Sequence, residues 1–203
     1  MTVTQIEAVG KNRSRIYIDE QLAFVLYRGE LSRYGIKEGS EISRETYEEI
    51  LYQVLEKRAK LRCMNLLKSM DRTEQQMKIK LRQGGYPEEI IDRAIAYVKG
   101  YRYVDDGAYA SRYIDYRKES KSRQQLTQEL LRKGISKEVI AQAFEEKEPA
   151  DETAMIRKWV EKKKFDCTSA TPQEKQKLYQ FLMRKGFSSR DISKVIRGVE
   201  DFD

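Results

Sequence analysis

Residues 105–144 read DDGAYASRYIDYRKESKSRQQLTQELLRKGISKEVIAQAF. They contain three short apolar stripes, each with the 3.6-residue period of an amphipathic helix. The first stripe follows the pair Asp105–Asp106, the second opens near Ser120 and ends at Gly134, and the third follows Ser136. Glycine most easily adopts the left-handed conformation that ends a helix. Because helices this short persist in water only when they pack, the stretch predicts a three-helix unit.

The same pattern occurs upstream and downstream of this unit. Gly85 lies 49 residues before Gly134, and Gly186 lies 52 residues after it. Each glycine is followed by an apolar residue and then by a residue that favours the start of a helix, which is Pro87, Ser136 or Ser188. Repeats of this length indicate a tandem array of helical units.

Residues 1–55 have a different pattern from the rest of the chain. Three stretches with strand-like composition, at 2–9, 15–18 and 22–27, are separated by clusters of turn residues. They predict a three-stranded antiparallel meander. Ser43 is then placed to cap one long helix, or two nearly continuous helices, that lead into the first repeat.

The sequence therefore predicts a mainly α-helical protein, an elongated tandem array of three three-helix repeats preceded by a small antiparallel β-module. We assign the module with its linking helix to residues 1–55 and the repeats to residues 56–104, 105–148 and 149–203. Two helix starts have their own signals: Asp71 with Glu74 predicts a capping box in repeat 1, and Thr171–Glu174 predicts one in repeat 3. Residues 200–203 form a short acidic tail.

The charge of the chain is high and unevenly distributed. Charged residues make up 36% of the sequence, and Lys and Arg outnumber Asp and Glu by 40 to 33. Residues 1–55 carry 7 basic and 9 acidic side chains, so the basic surplus lies wholly in the helical part. Such a surplus suits a polyanionic partner, either nucleic acid or an acidic protein surface. A well-solvated surface explains the charge equally well.

The sequence shows neither a targeting signal nor a set of cysteines that would form disulfide bonds. The only two cysteines, Cys63 and Cys167, are far apart and do not form a disulfide framework. The first residues lack the basic and apolar runs of a signal peptide, and no apolar stretch is long enough to span a bilayer. We therefore expect a soluble cytoplasmic protein that does not bind membranes.

The sequence also lacks the groups that most enzymes use. It contains no histidine, no nucleotide-binding glycine loop and no nucleophile elbow. The pair Asp105–Asp106 precedes a helix, so capping explains it better than metal binding. Trp159 and the tyrosines follow helical spacing and are predicted to lie in the core rather than to stack on bases. We expect no catalytic residue, no cofactor and no metal, and hence no enzyme.

The remaining candidates for function are the basic helix faces. In repeat 2 the candidate partner-binding residues are Arg112, Arg117, Lys118, Lys121, Arg123, Arg132 and Lys133. Arg112 and Arg117 fall off the stripe formed by Tyr109 and Tyr113, so they are predicted to point outward. An arginine fork suits a carboxylate and a phosphate equally well, so the residue type alone leaves the partner open.

Three stretches of repeat 2 carry a resemblance to a known family. The pattern DDGAYAxxYIxxR at 105–117, then ELLRKGI at 129–135 and VI at 139–140, resembles the central repeat of the RecX family, regulators of the RecA recombinase. The resemblance extends over about residues 56–200 and covers the first 55 loosely. Its motifs are mostly helix-packing residues, so it identifies the fold better than it identifies a site.

This resemblance implies a non-enzymatic regulator that binds RecA and the RecA–DNA filament. RecX-like proteins lie in the groove of that filament and mainly inhibit its recombinase, ATPase and co-protease activities, which serve DNA repair, recombination and the SOS response. It implies contact between the basic residues of repeat 2 and acidic RecA side chains or filament DNA. We expect a monomer that also binds DNA directly but weakly.

Two alternatives remain open at this point. The first is an independent DNA-binding protein that places the last helix of a three-helix unit in the major groove. Those helices offer few base-reading side chains, namely Asp92 and Arg93 in repeat 1 and Gln142 in repeat 2, which argues against sequence-specific readout. The second alternative is a helical scaffold for some other protein.

Overall fold

The computed structural model describes residues 1–197, which fall into two compact units. The first unit is Met1–Asp105 and the second begins at Asp106. The acidic tail predicted at 200–203 lies outside the described residues. Within residues 1–197, no helix is both long and apolar enough to cross a membrane.

The first unit begins with the predicted antiparallel meander. Its strands are β1 (Val3–Ala8), β2 (Arg13–Ile18) and β3 (Gln21–Tyr27), and β2 is central. Ile16 of β2 pairs with Ile6 on one side and with Phe24 on the other. Ile16 and Phe24 are fully buried, so one face of the sheet is apolar and packs into the core.

The helices of the first unit follow the sheet in chain order. They are α1 (Arg28–Arg33), α2 (Arg44–Glu49), a π-helical segment (Ile50–Leu55), α3 (Glu56–Ser69), α4 (Glu74–Gln83) and α5 (Glu88–Gly100). The Ser43 hydroxyl caps α2 by accepting a hydrogen bond from the backbone N–H of Thr46 at 3.1 Å. From α2 to the end of α3 the chain is continuously helical, as the apolar stripe predicts.

One hydrophobic core joins the sheet to the first three-helix repeat. Ile16 and Phe24 from the sheet and Leu55, Leu81 and Val98 from the helices belong to the same buried cluster. Gly85 lies very close to the sheet, because a Cβ atom there would lie 2.2 Å from Cγ2 of Val25 in β3. Gly85 also has a φ of +77°, a conformation that residues with a side chain rarely adopt. The β-module and repeat 1 therefore fold around shared side chains.

The second unit contains the other two three-helix repeats. Repeat 2 comprises α6 (Asp106–Arg117), α7 (Arg123–Arg132) and α8 (Lys137–Glu145), and repeat 3 comprises α9 (Glu152–Lys162), α10 (Pro172–Arg184) and α11 (Ser189–Arg197). Each repeat has its own buried cluster. The clusters include Ala110, Ile114, Leu126, Leu130 and Ile140 in repeat 2, and Met155, Ile156, Leu178, Leu182 and Ile192 in repeat 3. The predicted class, mainly helical with three three-helix repeats after a small antiparallel sheet, is confirmed.

Helix caps agree with the sequence at Ser136 and Thr171 but differ at two other starts. Helix α4 is capped by Thr73, whose Oγ1 accepts from the backbone N–H of Gln76 at 3.3 Å, so the capping box predicted for Asp71 with Glu74 is wrong. The backbone is still extended at Met70, and helical geometry begins only after Thr73. Helix α7 is capped by Ser122 instead of starting near Ser120, because the turn that ends α6 still includes Ser120.

Repeats 2 and 3 are joined at the buried hydroxyl of Ser122. It caps α7 and also donates a hydrogen bond to the backbone carbonyl of Lys185 at 2.8 Å. The next residue, Gly186, has a φ of +77°, and a Cβ atom there would lie 2.7 Å from the Ser122 Oγ. The glycine that ends α10 thus also permits the two repeats to approach.

We predict that Gly186→Ala lowers the free energy of unfolding by about 2 kcal/mol. The left-handed conformation costs a residue with a Cβ about 1–2 kcal/mol, and displacement of a buried hydrogen bond adds to this. Equilibrium unfolding in urea measures the change. Gly39→Ala is the matched control, since Gly39 has the same φ of +77° and nothing lies within 4 Å of its Cβ position. Equal stability of the two variants would contradict the assigned contact.

Candidate partner-binding surface

A pair of tyrosines with two cations over them lies on repeat 2. The rings of Tyr109 and Tyr113 are stacked, with centroids 6.2 Å apart. Lys133 Nζ lies 5.7 Å from the first ring and 5.2 Å from the second, and the Arg117 guanidinium lies 5.2 Å from Tyr113. The negative faces of aromatic rings attract cations at such distances. The charges of Arg117 and Lys133 are therefore held near the protein surface in a fixed arrangement.

Glu129 connects two elements of repeat 2 beside this pair. Its carboxylate accepts a hydrogen bond of 2.6 Å from the Tyr113 hydroxyl of α6 and forms an ion pair with Lys121, which precedes α7. Burial raises the pKa of Tyr113 to about 12, and the hydrogen bond to Glu129 contributes. Burial would also raise the pKa of Glu129, but the hydrogen bonds from Lys121 and Tyr113 outweigh it and lower that pKa. Lys121 is thus committed to an internal contact.

A small cavity lies between repeat 2 and the start of α9. Its volume is about 140 Å³, and Lys118, Lys121 and Arg123 contribute to its lining. The Arg123 guanidinium lies 4.5 Å from the ring centroid of Phe144, and its backbone N–H donates to Glu152 at 2.7 Å. Lys118 Nζ lies 3.7 Å from a carboxylate oxygen of Asp115. These basic residues line a mostly apolar recess and are engaged within the unit.

The structure thus divides the seven predicted residues into groups rather than placing them in one patch. Arg117, Lys121 and Lys133 surround Tyr113 and Glu129, whereas Lys118 and Arg123 lie with Lys121 at the cavity. Arg112 and Arg132 are exposed on α6 and α7. Among residues 1–197, Arg132 has no ion pair.

The outward orientation predicted for Arg117 is wrong, whereas Arg112 is exposed as predicted. Arg117 is half-buried and lies against the ring of Tyr113, four residues earlier on the same helix. Side chains at this spacing are neighbours on a helix, so the guanidinium reaches the ring face instead of extending into solvent.

Several tyrosines predicted to be core residues are instead on the surface. Tyr116 is 87% exposed, and Tyr97, Tyr101 and Tyr103 are also exposed near the end of α5. The rings of Tyr101 and Tyr103 are stacked with centroids 5.8 Å apart. Trp159, by contrast, packs on the repeat 3 core. The sequence did contain a signal for this exposure, because Tyr101 and Tyr103 follow Val98, the last buried residue of α5.

Groups with reactive chemistry are scarce in the described part of the chain. Residues 1–197 contain no cluster of Cys, Asp and Glu that could hold a metal ion. Burial raises the pKa of the Cys63 thiol to about 11 and also raises that of Cys167, so both are poor nucleophiles near neutral pH. Asp106 lies in the first turn of α6, where a carboxylate stabilises the helix.

Three family models match this chain, one for each repeat. The model described as RecX, first three-helix domain, matches residues 59–97, the second three-helix domain matches 105–143, and the third matches 150–196. Together the three matches cover more than half of the sequence. Each falls on one of the three-helix repeats described above.

Curated relatives and solved structures show the same likeness over nearly the whole chain. Regulatory protein RecX of Caldanaerobacter subterraneus subsp. tengcongensis is 34% identical over 89% of this chain and 90% of its own length. Regulatory protein RecX of Clostridioides difficile is 30% identical over 99% of this chain and 97% of its own length.

A crystal structure of a regulatory protein RecX superimposes with a TM-score of 0.66 at 26% identity, covering 97% of this chain and 98% of that one. The crystal structure of RecX from Lactobacillus salivarius has a TM-score of 0.60 at 20% identity, covers 71% of this chain and 96% of that one, and supports the fold alone. From the three matched repeats and the full-length relatives, we conclude that the chain belongs to the RecX family of regulatory proteins.

Proposed function

We propose that this protein is a cytoplasmic, non-enzymatic regulator that binds RecA and the RecA–DNA filament. It mainly inhibits the recombinase, ATPase and co-protease activities of the filament, and so acts in DNA repair, recombination and the SOS response. The observation that carries the proposal is the match of all three repeats to the three RecX domains in order. The scarcity of reactive groups in residues 1–197 is consistent with action by binding alone.

Within repeat 2, Arg112 and Arg132 are the best candidates for contact with the partner. Arg112 and Arg132 are exposed residues, and an arginine fork at the surface can bind an acidic RecA side chain or a filament phosphate through two hydrogen bonds. The half-buried Arg117, Lys118, Lys121 and Lys133 contribute through the shape and charge of the surface, and Arg123 does so beside Phe144. Substitution of the exposed arginines therefore tests partner binding, whereas substitution of the residues with internal contacts also affects stability.

We predict that Arg112→Glu/Arg132→Glu weakens inhibition of the RecA filament without unfolding the protein. Loss of two charge contacts and the repulsion that replaces them should raise the concentration for half-inhibition at least about tenfold, equivalent to about 1.4 kcal/mol. The measurement is RecA ATPase activity on single-stranded DNA, with the protein titrated in.

The control for this variant is Lys37→Glu/Lys57→Glu, which makes the same charge change at exposed residues of the first unit. Circular dichroism and thermal melting check that both variants fold. Unchanged inhibition by the repeat 2 variant, or equal loss in the control, would exclude Arg112 and Arg132 as specific contacts.

Lys121 forms an internal ion pair, so its substitution should lower the stability of the fold by an amount that depends on pH. The pKa of Glu129 lies below its usual 4.5 in the folded protein. The ion pair with Lys121 therefore contributes stability above that usual value and loses it as the pH falls through the lowered pKa. We predict that Lys121→Met is less stable than wild type at neutral pH and that the difference shrinks on acidification.

Thermal melts of wild type and Lys121→Met between about pH 7 and about pH 3.5 measure this difference. Arg132→Met is the matched control, since Arg132 has no ion pair within residues 1–197. A difference that stays constant across the range would show that the Lys121–Glu129 pair does not stabilise the fold.

A comparison of naked DNA with RecA filaments separates the proposed function from that of an independent DNA-binding protein. We predict preferential binding to filaments, with only weak binding to naked DNA. Binding to both is measured across a salt series, because phosphate contacts make the affinity fall steeply with salt. Equal or tighter binding to naked DNA would favour the alternative, and binding to neither would favour a scaffold for another protein.

A further inference from the structure

The first unit contains a basic cavity that none of the proposed partner contacts uses. It lies between the ends of β2 and β3 on one side and α3 and α4 on the other, and its volume is about 340 Å³. Its lining is mostly polar. The lining residues are Arg13, Val25, Tyr27, Arg58, Arg62, Lys80, Gln83, Gly84 and Tyr86.

The lining carries four cationic side chains and no acidic one. Arg58 is ion-paired with Glu30, which stands outside the lining. Within residues 1–197, Arg13 and Arg62 have no ion pair, and Lys80 Nζ has only a hydrogen bond of 3.4 Å to Gln83. Like charges that converge on one cleft repel each other, and their field attracts an anion into it. The composition of the cavity therefore indicates an anionic ligand.

One cation of the lining, Arg58, is held in place by contacts within the protein. The Arg58 guanidinium lies 4.6 Å from the ring centroid of Tyr27 and donates to the carbonyl oxygen of Val25 at 3.3 Å. Glu30, its ion-pair partner, also accepts a hydrogen bond of 2.7 Å from the backbone N–H of Tyr27. One cation of the site is thus fixed before any ligand binds, which reduces the entropy that binding must remove.

The two glycines that follow α4 lie against residues of the lining. Gly85 lies against Val25, and a Cβ atom at Gly84 would lie 2.9 Å from the ring of Tyr86. Burial raises the pKa of Tyr86, although Arg58 and Arg62 act in the opposite direction, so its hydroxyl stays protonated and able to donate a hydrogen bond. The cavity therefore combines closely packed lining residues, several cations and a neutral hydrogen-bond donor.

We propose that this cavity binds the phosphate groups of a nucleic-acid backbone, with Arg13, Arg62 and Lys80 as the charge contacts. An acidic peptide is the less suitable ligand, because the mostly polar lining offers little apolar area for the aromatic and aliphatic side chains that anchor most peptides. Phosphates need only charge and hydrogen-bond donors, which the cavity supplies. The site would provide direct DNA binding that does not require RecA.

The test uses the full chain, no RecA, and a fluorescent single-stranded oligothymidylate of about 20 nucleotides. Anisotropy titrations between about 50 and 200 mM salt give the slope of log K against log salt, which is about −0.7 per phosphate contact on single strands. We predict that Arg13→Gln/Arg62→Gln/Lys80→Gln weakens binding at least about tenfold at low salt and makes the slope shallower by about 2.

The matched control is Lys37→Gln/Lys57→Gln/Lys68→Gln, which removes the same charge from exposed residues of the same unit outside the cavity. It should keep the wild-type slope. The double variant Arg62→Gln/Lys80→Gln, which leaves the sheet intact, should show about two thirds of the change in slope. Equal losses in the triple variant and its control would overturn the proposal, because net charge alone would then explain binding.

Inorganic phosphate distinguishes a nucleic-acid site from a site for free anions. A ligand that binds the folded state raises its melting temperature, so phosphate should stabilise wild type and the control more than chloride does at equal ionic strength, and the triple variant should lose that difference. Loss of the phosphate effect with an unchanged oligonucleotide slope would overturn the nucleic-acid assignment. RecA is absent throughout, so the result is independent of the proposed regulation of filaments.

Discussion

The structure depends on a glycine in the left-handed conformation after the second helix of each repeat. Gly85, Gly134 and Gly186 all have φ between +77° and +86°, which turns the chain sharply enough for a third helix to pack on the first two. Two of these glycines also let the backbone approach another element, Val25 for Gly85 and Ser122 for Gly186. The same residue type therefore ends a helix and sets the distance between modules.

Much of the basic charge of this protein is engaged by its own aromatic and acidic side chains. Arg117 and Lys133 lie over Tyr113, Arg123 lies over Phe144 and Lys121 is paired with Glu129. A long cationic side chain can bury its stem along an apolar surface, so part of the basic residues serves packing as well as charge. The residues best suited to meet a partner are the exposed ones, such as Arg112 and Arg132.

The sequence predicted the helical repeats well because their periodicity, glycines and caps are local signals. Strand pairing in the meander and the capping box at Thr171 followed from the same kind of evidence. The start of α4 was misplaced because Asp71 and Thr73 both fit a cap, and only the backbone shows where helical geometry begins. The basic cavity could not be predicted, since Arg13, Arg62 and Lys80 come from three elements that meet only in the fold.

The shared core of the β-module and repeat 1 has a consequence for how segments can be exchanged among relatives. A crossover at residue 55 would separate Phe24 and Ile16 from the helical side chains that bury them, and would pair two surfaces with unrelated packing. A crossover after Asp105 would leave that core whole. The smallest piece that can be exchanged at this end of the chain is therefore the sheet together with all the helices of the first unit, and hybrids joined after Asp105 should have a complete core.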